Sequence, residues 1–222
     1  MSFAPCRSPF RREPALPTTI FLIRHAEKVD PGSGARNVGP DGEARATGLS
    51  VRGWQRAGAL VPLFSPGGAA RRDPRLVTPV AIYAASDRPR SHRPTLTVGP
   101  LADALGLDVQ STFRSGRDEE ALLTDALAIG GPVLVCWRHD DLPRFVRTLV
   151  DGHDDLRWDG RCYDEVWVLS QAPEGRWVRR VVLPALLAGD RAPQFDEVEA
   201  ARSRAASASM ASSCSRSIGL TR

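Results

Sequence analysis

Two Arg-His pairs in this chain each follow directly on an apolar, strand-like run. Arg24-His25 comes after Thr18 to Ile23 (TTIFLI), and Arg138-His139, continued by Asp140, comes after Pro132 to Trp137 (PVLVCW). Between them a third apolar run, Pro79 to Ala84 (PVAIYA), opens into Asp87 to Arg93 (DRPRSHR). Imidazole can serve as base, nucleophile or hydrogen-bond donor near neutral pH. Guanidinium offers a planar fork of donors that stays charged and matches oxyanions, and a carboxylate such as Asp140 can give and take a proton. A lone histidine at a strand end is ordinarily structural, and arginine-rich loops are ordinarily solvated. That plain reading covers His92 and His153, since His153-Asp154-Asp155 has no further ligand spaced to complete a metal site. It weakens for Arg-His pairs that follow two separate buried strands.

The elements that must position these residues can be read from periodicity. TTIFLI and PVLVCW are apolar on both faces, as buried parallel strands are, and PVAIYA is a third candidate. Two further strands are expected at Asp164 to Leu169 and Trp177 to Leu183, joined by a turn around Pro173 to Gly175. Helices are expected from Ser50, a candidate N-cap, to Phe64, over 94–106, from Asp118 to Ala128, and from Leu142 to Val150. The Gly-rich stretch Val29 to Gly48 reads as a long functional loop. Strands alternating with helices imply a mostly parallel sheet covered on both faces, with its ligands just beyond the carboxyl ends of the strands.

Composition narrows the class. A chain of 222 residues with 42% hydrophobic residues can bury one sizeable core. The expected organisation is a loose leader at 1–17, one domain at 18–189, and a disordered Ala/Ser/Arg-rich tail at 190–222. Residues 1–19 and 191–222 each carry a net charge of +2 and so account for the whole formal +4. The segment between is neutral, which excludes a nucleic-acid binder with its charge on the folded body. No apolar run approaches the ~20 residues of a membrane span, and none follows the basic N-terminus as in a signal peptide; cytoplasmic residence is the default expectation. Lys28 is the single lysine among 30 basic residues, a compositional skew rather than a mechanism. Cys6, Cys136, Cys162 and Cys214 form no CxxC pair, and Cys136, inside PVLVCW, reads as a buried small hydrophobe.

FLIRHAEK resembles the Arg-His signature of the histidine phosphatase superfamily, the group that contains the phosphoglycerate mutases and many phosphatases. LSVRGWQRAGAL resembles the L-[ST]-x-x-G-x-x-[QR]-A helix that follows it. Ser91-His92-Arg93-Pro94 with Thr95 and Thr97 resembles the second arginine element, and VLVCWRH the strand that delivers the second histidine. WDGRCYDEVWVL is similar to the closing segment of an uncharacterised bacterial branch. The likeness covers roughly 18–185 in order; the signature departs from many members in having Ala26 where they have glycine.

The resemblance implies a phosphoglycerate mutase-like fold, a three-layer α/β/α sandwich with a mostly parallel sheet. It implies a metal-independent phosphatase, without cofactor, acting on a small phosphomonoester or on phosphohistidine. His25 would be the nucleophile, Arg24 and Arg93 the clamp on the phosphoryl oxygens, and His139 a donor to them in the transition state. Lys28, Arg88 and Arg138 are candidate substrate contacts, and Arg88 and Arg90 are alternatives to Arg93. The acid stays open between Asp140, after the second histidine, and Glu119, which with Asp118 and Glu120 precedes the third helix. The alternatives in function are a non-catalytic phosphate-binding or scaffolding protein of the same fold, and a phosphomutase. Oligomeric state is not legible.

Overall fold

The computed structural model describes residues 18–66, 73–89 and 91–191. Six strands form one sheet in the order β3-β2-β4-β1-β5-β6. They are β1 (Thr19–Arg24), β2 (Ala81–Ala84), β3 (Val109–Gln110), β4 (Pro132–Trp137), β5 (Val166–Gln171) and β6 (Trp177–Val182). β3, β2, β4 and β1 pair in parallel, while β5 runs antiparallel to both β1 and β6. The sheet is therefore mostly parallel, with one reversed strand. Helices α1 (Val51–Phe64), α2 (Arg93–Leu105), α3 (Glu119–Ala128) and α4 (Leu142–Leu149) complete the expected sandwich.

Strand alternation separates two cores. Ile20 and Leu22 of β1, with Val133, Val135 and Trp137 of β4, pack against α3 and α4 through Leu122, Ala126, Leu142 and Phe145. Phe21 and Ile23, with Leu134 and Cys136, pack against α1 and α2 through Leu60, Phe64, Val98 and Leu101. Because both faces of β1 and β4 are covered, their sequences are apolar throughout rather than alternating. Cys136 is buried in the second core, as expected, and burial pushes its thiol pKa up.

Two differences from the expected elements have physical causes. Strand β3 was not foreseen; a two-residue edge segment carries too little pattern to register. Asp190 and Arg191, the first residues of the expected tail, are tied to the domain: Asp190 accepts from Arg56 Nη2 at 2.8 Å, and Arg191 Nη2 reaches Asp164 at 2.6 Å. Residues 1–17 and 192–222 lie outside the described residues. Among the described residues no helix is long and apolar enough to cross a membrane.

Candidate active site

The ladder puts the two Arg-His pairs side by side. Arg24 is in register with Trp137, and the His25 amide continues the pairing by donating to the Trp137 carbonyl at 3.0 Å. Alongside, the Ala85 amide donates to the Cys136 carbonyl at 3.0 Å, so the chain leaving β2 reaches the same rim.

His25 is 8% exposed. Its Nδ1 lies 2.9 Å from the Ala26 carbonyl oxygen. A carbonyl can only accept, so Nδ1 carries the proton and Nε2 keeps its lone pair. Burial, followed by the charges of Arg24 and Arg93 and by His139, lowers the His25 pKa to about 3. The ring is thus a neutral nucleophile-competent imidazole over the whole working range of pH.

The residues after His25 sit in a socket that explains the LSVRGWQRAGAL pattern. Ser50, the N-cap of α1, accepts from the Gly53 amide at 3.0 Å and donates through Oγ to the Glu27 carbonyl at 3.2 Å. A Cβ on Gly53 would lie 2.4 Å from that same carbonyl oxygen, so the close approach requires glycine. Arg56 grips the Glu27 carboxylate through Nε at 3.0 Å and Nη2 at 2.8 Å, and both residues are buried. From α2, Thr97 Oγ accepts from the Ala26 amide at 2.8 Å and donates to the Arg93 carbonyl at 2.7 Å. Small Ala26, fully buried with Leu49 and Ala57, fits where the backbone is this crowded.

Arg24 is 6% exposed, and its Nη1 donates to the carbonyls of Gly160 at 2.5 Å and Cys162 at 3.2 Å. Its guanidinium lies 3.7 Å from the centre of the Tyr163 ring, and that ring's centre is 6.5 Å from that of His25. Arg93 is braced by the carbonyls of Gly48 and Ala46, each at 3.2 Å, and by Ser91 Oγ. It remains near enough to His25 to bias its titration. His139 Nε2 is 3.2 Å from Asp140 Oδ1, and burial followed by the charge of Arg24 lowers the His139 pKa. Arg24, His25, Arg93 and His139 are therefore gathered, with Asp140, largely exposed, at their edge.

The remaining candidates are placed differently. Glu119 is 3% exposed, with Oε1 accepting from the Trp137 indole at 2.9 Å and the Gly116 amide at 2.5 Å, and Oε2 3.6 Å from Arg144. Its oxygens are occupied in holding α3 to β4. Arg88 donates to the Ser115 carbonyl, Arg138 faces Asp140 at 3.5 Å, and Lys28 is exposed. Arg90 lies outside the described residues. Among the described residues no group of three or more His, Cys, Asp or Glu side chains could hold a metal ion.

Trp158 to Tyr163 reach this rim although they precede their strand rather than follow it. β5 is antiparallel to β1, with Leu22 opposite Trp167, so the loop before β5, not the one after it, arrives at this rim.

No family model and no curated protein matches this chain. Solved structures similar to it include the protein histidine phosphatase SixA complexed with tungstate, at 14% identity and a TM-score of 0.49, covering 75% of this chain and 97% of that one. The ecdysone phosphate phosphatase from Bombix mori in complex with tungstate is similar at 17% identity and 0.47, covering 80% and 97%. Phosphoglycerate mutase from Bacillus anthracis str. Sterne follows at 13% and 0.47, covering 76% and 93%. Likeness this distant transfers no activity to this chain.

Proposed function

We propose that this chain is a histidine phosphatase. More particularly, it hydrolyses a phosphomonoester or a phosphohistidine without a metal, through a phosphohistidine on His25. The observation that carries this reading is the state of His25: Nδ1 is committed to the Ala26 carbonyl, the pKa lies far below neutrality, and Arg24, Arg93 and His139 surround the ring.

In this reading His25 Nε2 attacks phosphorus as the P–O bond to the leaving group breaks. Catalysis of phosphoryl transfer is mostly positioning and charge stabilisation. The guanidinium groups of Arg24 and Arg93 supply this, with an N–H of His139 directed at the oxygens that gain charge. The leaving alkoxide takes a proton from Asp140, which then takes one from the water that breaks the P–N bond. Glu119 is set aside for that role because its oxygens are engaged by Trp137, Gly116 and Arg144.

The test is steady-state hydrolysis of an aryl phosphate with EDTA present, wild type against His25→Ala. Activity that survives the chelator and disappears in the variant supports the reading. Activity that persists in His25→Ala contradicts it, and a wild type inert across a panel of phosphomonoesters favours the non-catalytic phosphate-binding alternative.

A further inference from the structure

We infer that Tyr163 is a positioning residue for Arg24: its ring is the platform that, with the Gly160 and Cys162 carbonyls, fixes the direction in which the guanidinium meets the phosphoryl group. The inference rests on the reading above, in which Arg24 holds that group.

A guanidinium at the end of a flexible stem is useful only if its plane and its free edge are set in advance. Two carbonyls fix one end of the Arg24 fork by accepting from Nη1 at 2.5 and 3.2 Å. They leave the fork free to roll about that end. The Tyr163 ring, 3.7 Å below the guanidinium carbon, removes the roll, and a cation this close to an aromatic face is attracted to it. Nε is buried without a hydrogen-bond partner, and among the described residues no carboxylate forms a salt bridge with the guanidinium, so these three contacts orient it.

The platform is itself anchored on both sides. The Trp158 indole donates to the Cys162 carbonyl at 3.0 Å, and its ring lies 4.6 Å from that of Trp167 in β5. On the other side Asp164 is held by Arg191, through the backbone amide at 2.9 Å and Nη2 at 2.6 Å. Gly160 allows the wall to close: a Cβ there would lie 3.0 Å from His139 Nε2. One short segment thus touches both Arg24 and His139. This gives WDGRCYDEVWVL a physical content that its composition alone does not.

The experiment measures the affinity of the full chain for inorganic phosphate by calorimetry, which reads Arg24 without requiring turnover. Tyr163→Leu is expected to weaken phosphate binding about fivefold to tenfold, the weight of one cation–π contact and the order it imposes. Tyr163→Phe, which keeps the face, should stay within about twofold of wild type. In an Arg24→Ala background Tyr163→Leu should produce no further loss, because the ring acts through the arginine. A ring that merely fills space would lower the melting temperature and leave the phosphate affinity of the folded protein unchanged. Unchanged affinity in Tyr163→Leu, equal loss in Tyr163→Phe, or full additivity with Arg24→Ala overturns the inference. Should Tyr163→Leu fail to fold, Tyr163→Met removes the aromatic face while keeping bulk, and wild-type affinity in that variant overturns the inference. A wild type that binds no phosphate contradicts the proposed function as well, so the two failures are distinct.

Discussion

Two glycines of α1, Gly53 and Gly58, make a matched pair of perturbations with opposite expected signs. In a helix interior Gly→Ala ordinarily stabilises, by up to about 1 kcal/mol, because alanine loses less backbone entropy. Gly58 is exposed and a Cβ there meets nothing within 4 Å, so Gly58→Ala should show that gain. At Gly53 the added Cβ would lie 2.4 Å from the Glu27 carbonyl oxygen and 3.1 Å from the Glu27 amide nitrogen. Restoring ordinary contact requires a shift of about 1 Å in a backbone already held by Ser50 and Thr97, and overpacking of this kind costs about 1–3 kcal/mol. The clash therefore outweighs the helix propensity, and Gly53→Ala should be destabilising by about 1–2 kcal/mol, or roughly 2–8 °C in melting temperature for a domain of this size. The displaced carbonyl is one residue from Ala26, whose own carbonyl fixes the His25 ring. A misplacement of about 1 Å at reacting groups can cost about a hundredfold in rate, so kcat should fall far more than stability alone explains. Denaturant melts and aryl phosphate kinetics on both variants provide the comparison. If Gly53→Ala is as stable and active as Gly58→Ala, the socket does not position His25 as argued.

Three further outcomes are expected. Arg56→Met leaves Glu27 and Asp190 as buried carboxylates without their main partner, which should cost about 3–5 kcal/mol in urea denaturation. The folded protein keeps His25 neutral down to about pH 3 while the unfolded chain protonates it below 6.5, so the unfolded state binds the extra proton and stability falls as pH drops through that window. At pH 5 the loss is about 2 kcal/mol, and urea melts of His25→Gln should show a flatter dependence between pH 7.5 and 5. Asp140→Asn should lower kcat by about a hundredfold or more on alkyl phosphates, whose leaving group needs a proton, and much less on nitrophenyl phosphate; equal losses on both would remove Asp140 from the proton-transfer role.

The parts of this molecule that were legible in the sequence are those where one physical signal dominates. β1 and β4 are covered on both faces, so their residues are uniformly apolar, and α1 carries its N-cap at Ser50. Arg24, His25 and His139 could be placed at one rim because parallel neighbours deliver the residues at their carboxyl ends to the same side of the sheet. What was missed depends on pairing that no local pattern shows. The Arg56–Glu27 pair joins residues far apart in the chain, which no local spacing links. Tyr163 enters from the amino end of a reversed strand, and the direction of β5 is not written in its residues. Glu119 stood where an acid could stand, but the Trp137 indole and the Gly116 amide claim it from distant parts of the chain.

The most direct test of the proposed phosphohistidine is to mix the protein with a labelled phosphomonoester, quench on the millisecond scale, and ask whether phosphate is bound to protein. A phosphohistidine on His25 predicts label that is stable to alkali, lost in acid, present at up to one equivalent per chain, and absent from His25→Ala. Steady hydrolysis with no protein-bound label under any quench, or label that remains in His25→Ala, would contradict it.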